Sequence, residues 1–280
     1  MKFAKMQGTG NDFIIVNNIE LNIPVEKFPE IAKRVCTRRI SVGGDALMVV
    51  DKPQHAGDFQ MRFYNSDGTL GEMCGNGARC IARYAYENKI AGGSMVIETL
   101  AGDVPAWRIN KRKYKIRLNN PEIIKLDETL SIDGTAYEYS YIELGNPGLP
   151  HAVVKINGLC DFDEKKLFQL GRKIRYYHDF PKGVNVNFYE IMKENDVRLK
   201  TFERGVEDFT LACGTGSGST AVVLSLKGVI DKGKPVNLHV PGGILSVHVE
   251  LNESKVENLY LTGDTNIVAI GEVMDEDLVL

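Results

Sequence analysis

The chain has 280 residues, a length that favours about two domains of ordinary size. A 43% hydrophobic, 25% charged composition is that of a globular protein, and a net charge of −3 argues against a nucleic-acid or anionic-membrane partner. No window approaches the roughly 18 uncharged apolar residues of a membrane helix, and the opening MKFAKMQGTGNDF has no apolar core or small-residue cleavage pattern, so a cytoplasmic location is expected.

In chain order, short β-branched and aromatic runs predict strands from Phe13 (FIIVNN), Ala46 (ALMVVD), Phe59 (FQMRFYN) and Ser94 (SMVIETL). Between the first two, PVEKFPEIAKRVC from Pro24 carries Phe28, Ile31, Ala32 and Val35 as an amphipathic helical stripe. GARCIARYAYENKI sets Ala78, Ile81, Ala82 and Ala85 against Arg79, Arg83 and Tyr86, a helix with one polar side. The second half predicts strands from His151, Asn185, Leu245 and Asn266, and an amphipathic helix from Asp163 with Leu167, Leu170 and Ile174. GSTAVVLSLKG is apolar nearly all round, the mark of a buried helix, and Lys227-Gly228 stops it. The class is mixed α and β, with strands dominant.

Five cysteines (Cys36, Cys74, Cys80, Cys160, Cys213) are odd in number and scattered, poor material for a disulfide framework; without a C-x-x-C they do not predict zinc. Two of them stand in matching sentences: MCGNGARC holds Cys74 and ACGTGSGS holds Cys213. They lie 213 − 74 = 139 positions apart, about half the chain, and each has a Phe eleven residues upstream, Phe63 and Phe202. The pattern is a twofold repeat of strand, polar turn, Cys-Gly-x-Gly and buried helix. The other three cysteines read as buried small hydrophobes.

A thiol is only slightly ionised at neutral pH, and a helix N-terminus favours its thiolate. Glycines beside it let backbone N–H groups approach an anion such as a carboxylate. Two such loops acting on one carbon make a two-base device: one thiolate removes a proton and the opposite thiol delivers another, inverting the centre without cofactor or metal. A carbon held by a carboxylate between two helix ends fits an α-amino acid. Read as a nucleotide loop instead, GTGSG lacks the Walker lysine and fails the G-x-G-x-x-G spacing at Ser219.

KMQGTGNDF, GGDAL, FYNSDGTLGEMCGNGARC, GVNVNF and ERGVEDFTLACGTGSG occur here in the order of the diaminopimelate epimerase family, which the chain closely resembles. The resemblance implies an α+β fold of two pseudo-symmetric domains, each a strongly curved, mostly antiparallel sheet around a central buried helix, with the active site in the interdomain cleft. The expected domains are 1–119 plus 264–280, carrying Cys74, and 120–263, carrying Cys213. It implies interconversion of LL- and meso-2,6-diaminoheptanedioate for lysine and peptidoglycan precursors, with Cys74 and Cys213 as the base/acid pair. Gly75, Asn76, Gly214 and Thr215 would bind the reacting carboxylate. Asn11, Asn65, Asn185 and Arg204 would contact substrate, Arg204 gripping the distal carboxylate. Glu203 and His151 would flank the reacting amino end and tune the thiols. A homodimer is a possible assembly, and no pyridoxal phosphate or metal is implied.

Two departures stand out. Ala46 occupies a position where some family members carry a substrate-contacting Gln. GNPGLPH can be anchored on its His, placing Leu149 at the family's Asn position, or on its Asn146; the His anchor is preferred. Two other functions stay open on these residues: a racemase for another amino acid on the same scaffold, and a binding module that uses the glycine loops without chemistry. Arg204 opposes the first, because a substrate lacking a distal carboxylate leaves it unpaired. The matched thiols oppose the second.

Overall fold

In the computed structural model, which describes residues 1–231, 233–274, 276 and 278, the chain forms two units, Met1–Ile116 with Thr262–Leu280, and Arg117–Leu261. In the first unit, Lys2–Gly8 is flanked antiparallel by Asn266–Glu272 and by Asn11–Asn17. Asn11–Asn17 runs parallel to Ala46–Asp51, which is antiparallel to Phe59–Asn65. Phe59–Asn65 is parallel to Ser94–Thr99, and Gly102–Arg108 closes the series antiparallel. In the second unit, Thr135–Leu144 is flanked antiparallel by Pro121–Ile132 and Leu149–Lys155. Parallel Asn185–Lys193, antiparallel Asp196–Glu203, parallel Val236–Val240 and antiparallel Gly243–Asn252 follow.

The two series have the same order of pairings, so the twofold repeat in the sequence is a repeat of topology. Parallel neighbours cannot be joined by a tight hairpin and need a crossover. A helix supplies each one: Phe28–Cys36 and Gly75–Glu87 in the first unit, Glu164–Arg175 and Gly214–Lys227 in the second.

Strand periodicity decides what each helix covers. Ile14, Val16, Leu47 and Val49 share one face and pack with Phe28, Ile31, Ala32 and Val35 of the outer helix. Ala152, Val154, Val186 and Phe188 likewise meet Leu167, Leu170 and Ile174. The alternate residues face the other way, toward the cysteine-capped helix: a Cβ on Gly77 would touch Met48, and one on Gly216 would touch Asn187. Both faces are covered, which is why FIIV and ALMVV read as unbroken apolar runs.

The predicted strands and both amphipathic helices are present, joined by further strands, among them Gly102–Arg108, Lys113–Leu118, Thr135–Leu144, Asp196–Glu203 and Lys255–Asp264. These alternate polar with apolar residues, as in the exposed-buried pattern of KYKIRL, instead of forming apolar runs. Two expectations are corrected. Arg79 and Arg83, assigned to a polar helix face, are buried (0% and 6% exposed), because the helix lies inside its unit. Cys160 is exposed, in a turn between a strand and the outer helix, and is not a core residue. No helix among the described residues is long and apolar enough to cross a membrane.

Candidate functional site

The two cysteines occupy the same local structure. Cys74 (φ −130°, ψ 119°) and Cys213 (φ −116°, ψ 113°) are the N-cap residues of Gly75–Glu87 and Gly214–Lys227. Each sulfur accepts the amide of the third helical residue, Gly77 at 3.5 Å and Gly216 at 3.3 Å. The first intrahelical bonds run from Ala78 and Ser217 to the two cysteine carbonyls. The amides of Gly75 and Asn76, and of Gly214 and Thr215, precede those bonds and are not consumed by the helix. Each sulfur therefore sits at the positive end of a helix dipole, where an anion is favoured.

Around Cys74 the expected residues Asn11 and Asn76 are joined, the Asn76 side-chain amide donating to Asn11 Oδ1. Asn11 Nδ2 in turn donates to Asp45 at 3.2 Å. Asn65 ends its strand exposed, its amide on Thr69 Oγ1 at 2.9 Å. Beneath the loop lies a residue not among the expected ones: Arg79, fully buried, donates to Gly75 O (3.3 Å), Thr9 Oγ1 (2.9 Å) and Asn76 Oδ1 (2.9 Å). Thr9 adopts φ 54°, unusual for a β-branched residue, and turns its hydroxyl onto that guanidinium. Its signal in the sequence is GTGND, where two glycines bracket a threonine.

Around Cys213 the strand register does the assembling. His151 is paired with Asn185, and Asn185 carries Arg204 through a 2.8 Å bond from the Arg204 amide to its side-chain oxygen. Arg204 Nη1 donates to Lys182 O at 3.2 Å, and Glu203 accepts from the Thr210 hydroxyl at 2.9 Å. Cys213 is buried and lies 3.5 Å from Thr215 Oγ1. His151 is fully buried; burial, with Arg204 nearby, drops its pKa to about 3, so the imidazole is neutral. Asn187 and Thr201, not among the expected residues, complete this network with Asn187 between His151 Nδ1 (3.1 Å) and the Thr201 hydroxyl (3.0 Å). Asn187 was legible as the second Asn of GVNVNF, two residues on and so on the same strand face. Asn146 sits exposed in the 145–148 turn, while Leu149 begins the strand that carries His151.

The three remaining thiols lie outside these loops. Burial pushes Cys36 and Cys80 up to about 12, leaving both neutral. No group of three or more metal-ligating side chains occurs among the described residues.

The diaminopimelate epimerase family profile matches residues 3–123 and 144–268, a span that includes both cysteine loops. The chain belongs to the diaminopimelate epimerase family. It is 38% identical to the diaminopimelate epimerase of Aquifex aeolicus (strain VF5), with 99% of each chain covered. It is 36% identical to that of Archaeoglobus fulgidus, over 96% of this chain and 95% of that one. Among solved structures, a hydroxyproline epimerase from Agrobacterium vitis matches with TM-score 0.72 at 15% identity, covering 99% of this chain and 93% of the other. A PhzF-family protein of Bacillus anthracis matches with TM-score 0.74 at 16% identity, covering 98% and 99%. At such identities the likeness is one of fold, and it extends the two-unit α/β architecture beyond the family.

Proposed function

We propose that this protein is a diaminopimelate epimerase, interconverting the LL and meso forms by proton transfer at one α-carbon through Cys74 and Cys213, without a cofactor. The observation that carries the reading is the pair of sulfurs, each capping the N-terminus of a buried helix and each accepting the amide of its third residue. Family membership over nearly the whole chain supports the choice of substrate. The activity belongs to the supply of lysine and peptidoglycan precursors.

One thiolate takes the α-proton, and the C–H electron pair moves onto the substrate carboxylate. The amides of Gly75, Asn76, Gly214 and Thr215 stabilise that developing charge. The other thiol then donates its proton to the opposite face and becomes the thiolate, so the two cysteines exchange protonation states each turnover. Arg204, whose guanidinium suits a bidentate grip, takes the distal carboxylate. Asn11, Asn65 and Asn185 position the substrate. Glu203, held by Thr210, and neutral His151 flank the amino end.

The test is α-deuterium incorporation from heavy water into LL-diaminopimelate with no added cofactor. Cys74→Ser and Cys213→Ser are each expected to lose epimerisation by at least about 100-fold, the scale of losing a general acid or base. Undiminished epimerisation by either variant sinks the proposal.

A further inference from the structure

The strand registers make the two units comparable residue by residue, and their electrostatics differ. Phe13, paired with Ala46, corresponds to His151, paired with Asn185. Met48, paired with Phe63, corresponds to Asn187, paired with Thr201. An apolar trio in the first unit, with Met48 against Gly77, is thus a neutral polar trio in the second, with Asn187 and Thr201 against Gly216. On the helices the contrast is reversed. Five residues after Cys74 stands buried Arg79; five residues after Cys213 stands Gly218, whose position is packed by Leu118 and Leu259.

Arg79 is a buried guanidinium bonded only to neutral oxygens, and its Nε has no hydrogen-bond partner. An Arg side chain is effectively always protonated. A buried cation calls for a nearby anion, and no carboxylate pairs with it among the described residues. The ionisable groups that face it are Cys74 and Cys80 on its own helix and Asp264 on the strand Lys255–Asp264. Asp264 is exposed to solvent, and Cys80 is held neutral by burial. Of the other charges on the surrounding elements, Lys2 and Asp103 are exposed to solvent and four are committed elsewhere. Arg83 donates to Thr265 O and pairs with Glu87, Arg108 stacks on Tyr86, Glu98 accepts three loop amides, and Lys5 pairs with Asp12. Of the three groups that face Arg79, Cys74, half-buried at the start of the same helix, is neither exposed to solvent nor held neutral by burial.

We propose that Arg79 is a positioning residue that biases the resting enzyme toward a Cys74 thiolate and a Cys213 thiol, so that two thiols in matching caps are not equivalent. Through Gly75 O it polarises the peptide whose N–H belongs to Asn76, and through Asn76 Oδ1 it fixes the side chain that reaches Asn11. The proposal rests on the reading of Cys74 and Cys213 as the base/acid pair and says which of them is charged before substrate arrives.

The experiment is iodoacetamide alkylation followed by peptide mapping from about pH 5 to about pH 10, a range that brackets ordinary thiol ionisation. Cys74 is titrated in Cys213→Ala protein, and Cys213 in Cys74→Ala protein. Cys74 is expected to titrate at least about one pH unit below Cys213, a tenfold difference in thiolate fraction at equal pH. Arg79→Met raises the Cys74 midpoint by about one unit or more and moves the acid limb of α-proton exchange with it, whereas Arg79→Lys keeps most of the bias. Equal midpoints for the two thiols with Arg79 intact overturn the proposal, whether or not the Met variant folds; so does a folded Arg79→Met protein whose Cys74 midpoint stays put. Alkylation needs no substrate. A protein that titrates as stated yet exchanges no α-proton of diaminopimelate defeats the proposed function and leaves this inference standing.

Discussion

Asn187 Nδ2 donates both to His151 Nδ1, at 3.1 Å, and to the Ala152 carbonyl, at 3.3 Å. The carbonyl can only accept, so it fixes which end of the amide faces the ring, and the ring nitrogen must accept in its turn. The His151 proton therefore sits on Nε2, which is buried with no hydrogen-bond partner among the described residues. His151 in this fold is a neutral donor and not a proton acceptor in waiting.

That state has a pH signature. With its pKa lowered to about 3 in the folded protein, His151 takes up a proton readily only on unfolding. The unfolded state binds the extra proton below about pH 6.5, so this group makes stability fall as pH drops from there toward 3, by at most about 1.4 kcal/mol per unit. Urea midpoints measured from pH 7 down to about 4 should fall less steeply for His151→Gln than for the parent protein. Nitrogen-15 NMR should show one imidazole as the Nε2–H tautomer across that range; a cationic signal near pH 6 defeats the assignment.

Asp12 makes the opposite prediction. Partial burial alone would raise its pKa, yet hydrogen bonds and charge from Arg38 and Lys5 bring the carboxyl down to about 2. Its contribution is present above about pH 4 and is lost as pH falls through 2. Asp12→Asn is expected to cost about 1–2 kcal/mol at neutral pH, held to that by the exposure of Arg38, and to leave Lys5 without its counter-charge. Thermal unfolding with and without salt measures it. The variant should also raise KM, because Arg38 bridges the Asp12 carboxylate to Asp45, which in turn holds Asn11.

Alanine at the third helical position separates the two loops. At Gly216 the new Cβ would lie 2.3 Å from Asn187 Oδ1 and 3.1 Å from Thr201 Oγ1, inside a buried bonded network that cannot yield without leaving polar atoms unpaired. At Gly77 the near atom is Met48 Sδ, at 2.8 Å, the end of an adaptable side chain. Gly216→Ala should cost more than about 2 kcal/mol, and Gly77→Ala less than about 1 after the helix-propensity gain of alanine. Denaturant titration of the pair gives the order; equal losses contradict it.

Cys160 is exposed, outside both loops. Cys160→Ser should remove a fast-reacting thiol and leave epimerisation unchanged. Cys36 and Cys80, pushed to about 12, should resist alkylation at neutral pH until the protein unfolds. Peptide mapping of native and urea-treated protein distinguishes the three.

The twofold repeat and the two capping cysteines were legible in local patterns of the sequence. A cysteine before Gly-x-Gly and an apolar helix is a local pattern, and local patterns fix caps and turns; placing Cys74 and Cys213 at helix N-termini needed nothing more. The core strands were legible too, because a strand covered on both faces writes itself as an apolar run. What lies under each cap depends instead on long-range packing. Arg79 reads as a solvated helix charge until its helix is placed inside the unit, where every face is an inner face. Phe13, Met48 and Phe63 in one unit, and His151, Asn187 and Thr201 in the other, come from strands far apart in the chain. Strand register is set by long-range pairing, which no short window of sequence records, and register is what places a neutral histidine network beneath one glycine loop and an apolar cluster beneath its counterpart.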